Sequence, residues 1–164
     1  MAKKVFLSFY YDEDVRRVSQ VKQMGALDEQ PLLSANDWEK VESGSDDAIK
    51  RWIHEQMKDK ICNIVLIGTN TYRRPWVKYE ASYAWNNGLA VMGIHIHNLK
   101  DPITGKSAKG LNPFTGINIT HNGITRPFDN VPLIFDPDPN YAYNNIDESI
   151  EGWIDLAVAH RKKW

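Results

Sequence analysis

Glu80 is the residue of this chain whose setting most suggests chemistry. It lies in Arg73-Arg74-Pro75-Trp76-Val77-Lys78-Tyr79-Glu80-Ala81-Ser82-Tyr83-Ala84-Trp85. Three- and four-residue spacing gathers Trp76, Val77, Ala81, Tyr83 and Ala84 into one apolar helical stripe. Glu80 falls inside that stripe, one turn after Trp76 and one before Ala84, while Lys78, Ser82 and Asn86 lie on the other side. A carboxylate on an inward face is costly unless something uses it. Pattern alone leaves two readings open: a structural carboxylate paired with an arginine or capping a loop, or a functional one.

Other chemical motifs are weaker. Gly105-Lys106-Ser107 has the ending of a phosphate-binding loop, but position 100, where the motif needs glycine, is lysine. The chain has no Gly-x-Gly-x-x-Gly, so a dinucleotide site of the Rossmann kind is unsupported. His95 and His97 alternate and so share one face of a strand. No nearby Cys or His cluster completes a metal site, and they read as core or strand-end histidines. Cys62, the single cysteine, rules out an internal disulfide and reads as an inert buried thiol. Gly68-Thr69-Asn70 stands where a phospho-accepting receiver would need an aspartate, which counts against that class.

The elements that must position Glu80 alternate between strand and helix. Val5–Phe9 is a short apolar run and an expected central strand. Asp12 is a fair cap for a helix ending at Gly25. Pro31-Leu32-Leu33 is the expected second strand, followed by a loop, Ser34 to Glu39, that carries Trp38. Asp46 to Lys58 is a helix with Ile49, Trp52, Ile53 and Met57 inward, capped by Ser45 or Asp46. Ile61 to Ile67 is an apolar run broken only by Asn63, which fits a parallel sheet covered on both faces. Pro75 suits the first turn of the Glu80 helix, and Gly88 its end. Leu89 to Ile96 follows as a strand. Residues 98–130 form a long excursion rich in Gly, Pro, Asn and Lys, expected as a lid over the Glu80 cleft. Val131 to Phe135 is an expected edge strand, since Pro132 argues against a central place. A final helix begins at Asn145 or Asp147, with Ile150, Trp153, Ile154, Ala157 and Val158 inward. The expected fold is α/β: a parallel sheet of four or five strands with helices on both faces, as one domain over residues 1–164.

A net charge of −1 gives no basic surplus for nucleic acid or an anionic membrane. No signal-like start and no apolar run of bilayer length are present, so the expectation is a cytoplasmic protein. Six tryptophans and seven tyrosines suit a core, and equally a site that stacks planar rings. Ligands of open parallel sheets bind at the carboxyl ends of strands. Those ends carry Ser8-Phe9-Tyr10-Tyr11, Asn36-Asp37-Trp38 and Thr69-Asn70-Thr71. Aromatics beside one carboxylate would suit a planar ligand bearing ribose hydroxyls.

Several segments together resemble a known family. Lys4-Val5-Phe6-Leu7-Ser8-Phe9 looks like the opening strand of TIR domains. Asn36-Asp37-Trp38-Glu39, Val65-Leu66-Ile67-Gly68, Arg74 to Glu80, Gly93-Ile94-His95-Ile96 and Lys109 to Phe114 are similar to the TIR-like protein of the bacterial Thoeris anti-phage system, the ThsB group. The similarity runs over about residues 3 to 116. It implies a flavodoxin-like, three-layer TIR fold. It also implies cleavage of the nicotinamide–ribose bond of NAD, giving a cyclic or otherwise modified ADP-ribose messenger that activates an effector. NAD would be substrate, with no separate cofactor and no metal. The family's catalytic glutamate carries over to Glu80, and its strand-one loop to Ser8, Phe9 and Tyr10. Asp37, Trp38 and Trp76 complete the expected binding set, with Tyr10, Trp38 or Trp76 stacking nicotinamide or adenine. A phage-derived trigger and a homo-oligomer belong to the same expectation. The rival is a non-catalytic TIR-like module that signals by assembly. Two features depart from the family pattern: Pro75 stiffens the entry to the Glu80 helix, and the tail after residue 130 is short.

Overall fold

The computed structural model describes residues 2–30 and 44–164. Its elements are β1 (Lys3–Ser8), α1 (Tyr11–Gln23), β2 (Leu27–Glu29), α2 (Asp46–Met57), β3 (Cys62–Ile67), a 3-10 turn (Thr71–Arg73), α3 (Pro75–Asn86), β4 (Ala90–His95), β5 (Asn118–His121), β6 (Ile124–Pro127), β7 (Leu133–Phe135) and α4 (Ala142–Arg161).

Five strands form one sheet in the order β2-β1-β3-β4-β7, every neighbour parallel. The expected α/β architecture is present, and β3 is its centre. All six residues of β3 and all six of β4 are buried, as apolar strands covered on both faces must be. Side-chain alternation divides the core in two. Val5, Leu7, Ile64, Leu66, Met92 and Ile94 pack with Val18 and Val21 of α1 and Ile146, Ile150 and Ile154 of α4. Phe6, Val65, Ile67 and Val91 pack with Ile49 and Ile53 of α2 and Val77, Ala81 and Ala84 of α3.

Several boundaries differ from expectation. The second strand is Leu27–Glu29, paired with Lys3–Val5, and Pro31–Leu33 lies outside the described residues. Asp12 stands in the first turn of α1, whose cap is Tyr10 without a side-chain hydrogen bond. Ser45 does cap α2, accepting from the Ala48 amide at 3.2 Å. The final helix begins at Ala142. Residues 118–127, within the excursion that shows no sequence period, contain an antiparallel hairpin. Its turn residues Asn122 and Gly123 have φ of 51° and 78°, the left-handed pair that a tight hairpin needs. Among the described residues, no helix is long and apolar enough to cross a membrane.

Candidate active site

Glu80 sits on α3 among the buried residues of that helix, beside Val77, Ala81 and Ala84. Its helix packs on the Phe6–Val65–Ile67 face of the sheet. The residue is 7% exposed, so its carboxyl is out of water. Burial pushes its pKa from 4.5 up to about 8, opposed only by a hydrogen bond from Ser8. No ion pair to Glu80 exists among the described residues. Of the two structural explanations left open by the sequence, the arginine paired with this carboxylate has no support from them.

Ser8 ends β1 and is buried on the same side of the sheet. Its Oγ accepts from Asn63 Nδ2 at 2.9 Å, and the same amide donates to the Phe6 carbonyl at 3.2 Å. The sequence marked Asn63 only as a break in an apolar run. Its link to Ser8 depends on the β1–β3 register, which sets Phe6 opposite Asn63 and Ser8 opposite Val65.

The remaining expected site residues are distributed unevenly. Tyr10 is half-buried at the mouth of the same strand end, with the Arg74 guanidinium 4.5 Å from its ring centroid. Arg74 is the N-cap of α3, so this contact ties the strand-one loop to the start of the Glu80 helix. Trp76 lies one turn before Glu80 and is half-buried, its ring edge-on to Tyr79 at 5.5 Å. Tyr79 in turn meets His54 Nε2 at 2.6 Å, and His54 stacks on Tyr83 at 4.0 Å. These rings join α2 to α3. Phe9 turns the other way. It packs against the core layer of α1 and α4, near Tyr11, and is not brought to the Glu80 side. Asp37 and Trp38 lie outside the described residues.

The long excursion crosses the carboxyl edge of the sheet, as expected, but its contacts are those of a buttress. Gly110 is so close to the Gly68 carbonyl that a Cβ there would fall on the oxygen. Thr69 Oγ1 donates to the Ala108 carbonyl, and Lys78 Nζ donates to the carbonyls of Pro113 and Thr115 at 2.9 and 2.6 Å. Phe114 and Phe128 pack edge to face, and Phe128 does the same against Trp85 of α3. Lys78 is on the outer side of α3, while Phe114 and Phe128 join the core layer that Val77, Ala81 and Ala84 of the helix share. None of these named contacts is to Glu80 itself.

On the opposite layer, Arg17 anchors the same excursion. It pairs with buried Asp14 at 2.9 Å and donates to the Leu99 and Gly105 carbonyls. His95 and His97 are buried at the end of β4, their rings 5.6 Å apart. Burial pushes His95 down to about 4, so it is neutral at physiological pH, and burial lowers His97 as well. Residues 105–107 lie in this excursion, with Gly105 bonded back to Asp101, and not at the start of a helix.

A sequence profile of the Thoeris protein ThsB, TIR-like domain, matches residues 6–101. That span holds Ser8, Asn63 and Glu80 together. Bacillus cereus (strain MSX-D12) has a relative provisionally named the cyclic ADP-D-ribose synthase ThsB1. The two are 36% identical over 119 residues, 70% of this chain and 62% of the relative. The chain thus spans somewhat under two thirds of that protein's length. The five-stranded parallel sheet with helices on both faces agrees with a flavodoxin-like TIR fold. The chain belongs to the Thoeris ThsB family and carries its TIR-like domain.

Proposed function

We propose that this protein processes NAD in anti-phage defence, breaking the nicotinamide–ribose bond and forming a cyclic or otherwise modified ADP-ribose. The observation that carries this reading is Glu80: a buried carboxyl with no charged partner among the described residues, held by Ser8 at a strand end. The chain's family and its relative's name for cyclic ADP-D-ribose synthesis point to the same substrate class.

The chemistry is compatible with one carboxylate. When the C1′–N bond of NAD breaks, its electron pair goes to the pyridinium nitrogen and nicotinamide leaves neutral, so no general acid is needed. Positive charge develops on the ribose, as in glycoside cleavage. Glu80 would stabilise that charge and orient the ribose hydroxyls. A carboxyl raised to about 8 is largely protonated in the empty site near neutral pH. A pyridinium cation arriving beside it favours the ionised form, because opposite charges lower an acid's pKa. Substrate binding would therefore release a proton and arm the carboxylate. Water attacking C1′ gives ADP-ribose, whereas an internal nucleophile of the adenosine half gives a ring, losing one proton in either case. Tyr10 and Trp76 would border the planar rings of NAD.

A phage-derived trigger, a downstream effector reached through the product, and self-assembly complete the proposal. Mass spectrometry of nucleotides after incubation with NAD, with and without phage lysate, tests it. NAD loss with matching release of nicotinamide is the expected result. Unchanged NAD under both conditions would leave the non-catalytic assembly module in front.

A further inference from the structure

Asn63 is the one polar residue in β3, and its side chain is fully buried in the centre of the sheet. Its carbonyl oxygen Oδ1 has no hydrogen-bond partner among the described residues. A leucine or valine would fit the apolar face of β3 without leaving a polar atom unpaired, so stability alone gives no reason for an amide there. The other half of the amide has a defined task. Nδ2 donates one hydrogen to the Phe6 carbonyl and the other to Ser8 Oγ.

A serine hydroxyl has a single proton. Asn63 donates to its oxygen, and the Ser8 hydroxyl is the hydrogen-bond donor that acts on the Glu80 carboxyl. We propose that Asn63 is a positioning residue of this site, fixing the Ser8 hydroxyl so that it donates to Glu80. This rests on the reading of Glu80 given above. A donor aimed at a carboxyl favours its ionised form, the form that stabilises a ribosyl cation. Without Asn63 the hydroxyl is free to rotate and accept a proton from neutral Glu80, which favours the inactive form.

Four other titratable groups on or beside α3 have described contacts away from Glu80, and Lys50 of α2 is one, its ammonium 5.3 Å from the Tyr79 ring centroid. His54 of α2 meets Tyr79, and Lys78 of α3 meets the carbonyls of Pro113 and Thr115. Arg74 lies over Tyr10. Ser8 is the single hydrogen-bonding influence on Glu80 among the described residues.

Asn63→Leu tests the proposal, since it keeps volume and removes the donors. Two readouts are compared with wild type on folded protein: the carboxyl carbon NMR titration of Glu80, and the pH profile of kcat/KM for NAD. The titration and the acid limb should both move upward by about one pH unit. Turnover near neutral pH should then fall about tenfold and return as pH rises, one unit being one decade of ionised form. Asn63→Val is a second, smaller replacement with the same expectation. Ser8→Ala, which leaves Asn63 in place, should shift the titration at least as far. Wild-type titration in a folded Asn63 variant overturns the proposal, and so does a pH-independent loss of rate. An unshifted Glu80 in Ser8→Ala overturns it too, because the path runs through that hydroxyl. Full NAD turnover by Glu80→Gln sinks the underlying catalytic reading instead, and the NMR comparison still decides the role of Asn63.

Discussion

Replacing Glu80 by glutamine should make the protein more stable while removing its activity. The folded pKa of about 8 lies above the ordinary 4.5. A carboxyl raised in this way stabilises the fold as a neutral acid, fully below the unfolded value, and that contribution is lost as pH climbs through the folded value. At 1.36 kcal/mol per unit, the whole span from 4.5 to about 8 is worth about 5 kcal/mol. Glutamine keeps the shape, never ionises, and strands no partner charge among the described residues. Relative to wild type, Glu80→Gln should therefore gain about 1 kcal/mol near pH 5 and about 4–5 kcal/mol near pH 9. Urea unfolding of both proteins across that range measures the difference directly. NAD turnover should fall roughly a hundred- to a thousandfold, the usual loss when a group aimed at transition-state charge is removed. A stability difference that does not change with pH would refute the raised pKa. A variant less stable by about 3 kcal/mol at every pH would mean that Glu80 has a charged partner after all.

Three further outcomes follow from the packing. Gly110→Ala drives a Cβ onto the Gly68 carbonyl and should cost about 1–3 kcal/mol or more in thermal melting; an unchanged Tm would mean that the excursion is not seated on β3. Arg17→Met removes the partner of Asp14, whose carboxyl burial already holds at about 6. It should cost about 3–5 kcal/mol. That loss should grow as pH rises past about 6, because the ionised acid then has no cation, and a pH-independent loss in chemical denaturation would contradict this. Cys62 is fully buried and its thiol is pushed far up by burial, so a thiol reagent should label it only on global unfolding. Rapid labelling of native protein would contradict that placement.

The parts of this fold that are buried on both faces were legible from sequence. β3 and β4 announce themselves as apolar runs because nothing solvated touches them. β2 was misplaced for the opposite reason. Leu27-Asp28-Glu29 is a three-residue edge with acidic side chains and no alternation, while Pro31-Leu32-Leu33 looks more like a strand. The hairpin at Asn122-Gly123 had a turn signal, but every residue of β6 is exposed, so no period marked it. Glu80 was legible because a charge inside an apolar helical stripe is visible at fixed spacing. Ser8 and Phe9 came together, from the strand-end rule and then from the family resemblance. Strand alternation separates those two neighbours onto opposite faces, which the shared label of a loop had hidden. Asn63 stood out as a polar break, yet its purpose depends on parallel register, which one strand's sequence does not contain.

The most direct test of the account is NAD conversion by wild type and Glu80→Gln, side by side, under phage-lysate triggering and across pH. Wild type should release nicotinamide and a modified ADP-ribose, with an acid limb in kcat/KM near pH 8 that reports the free Glu80 carboxyl. Glu80→Gln should be folded, with at least a hundredfold less product. Equal product from both proteins would mean that Glu80 is not the catalytic carboxylate.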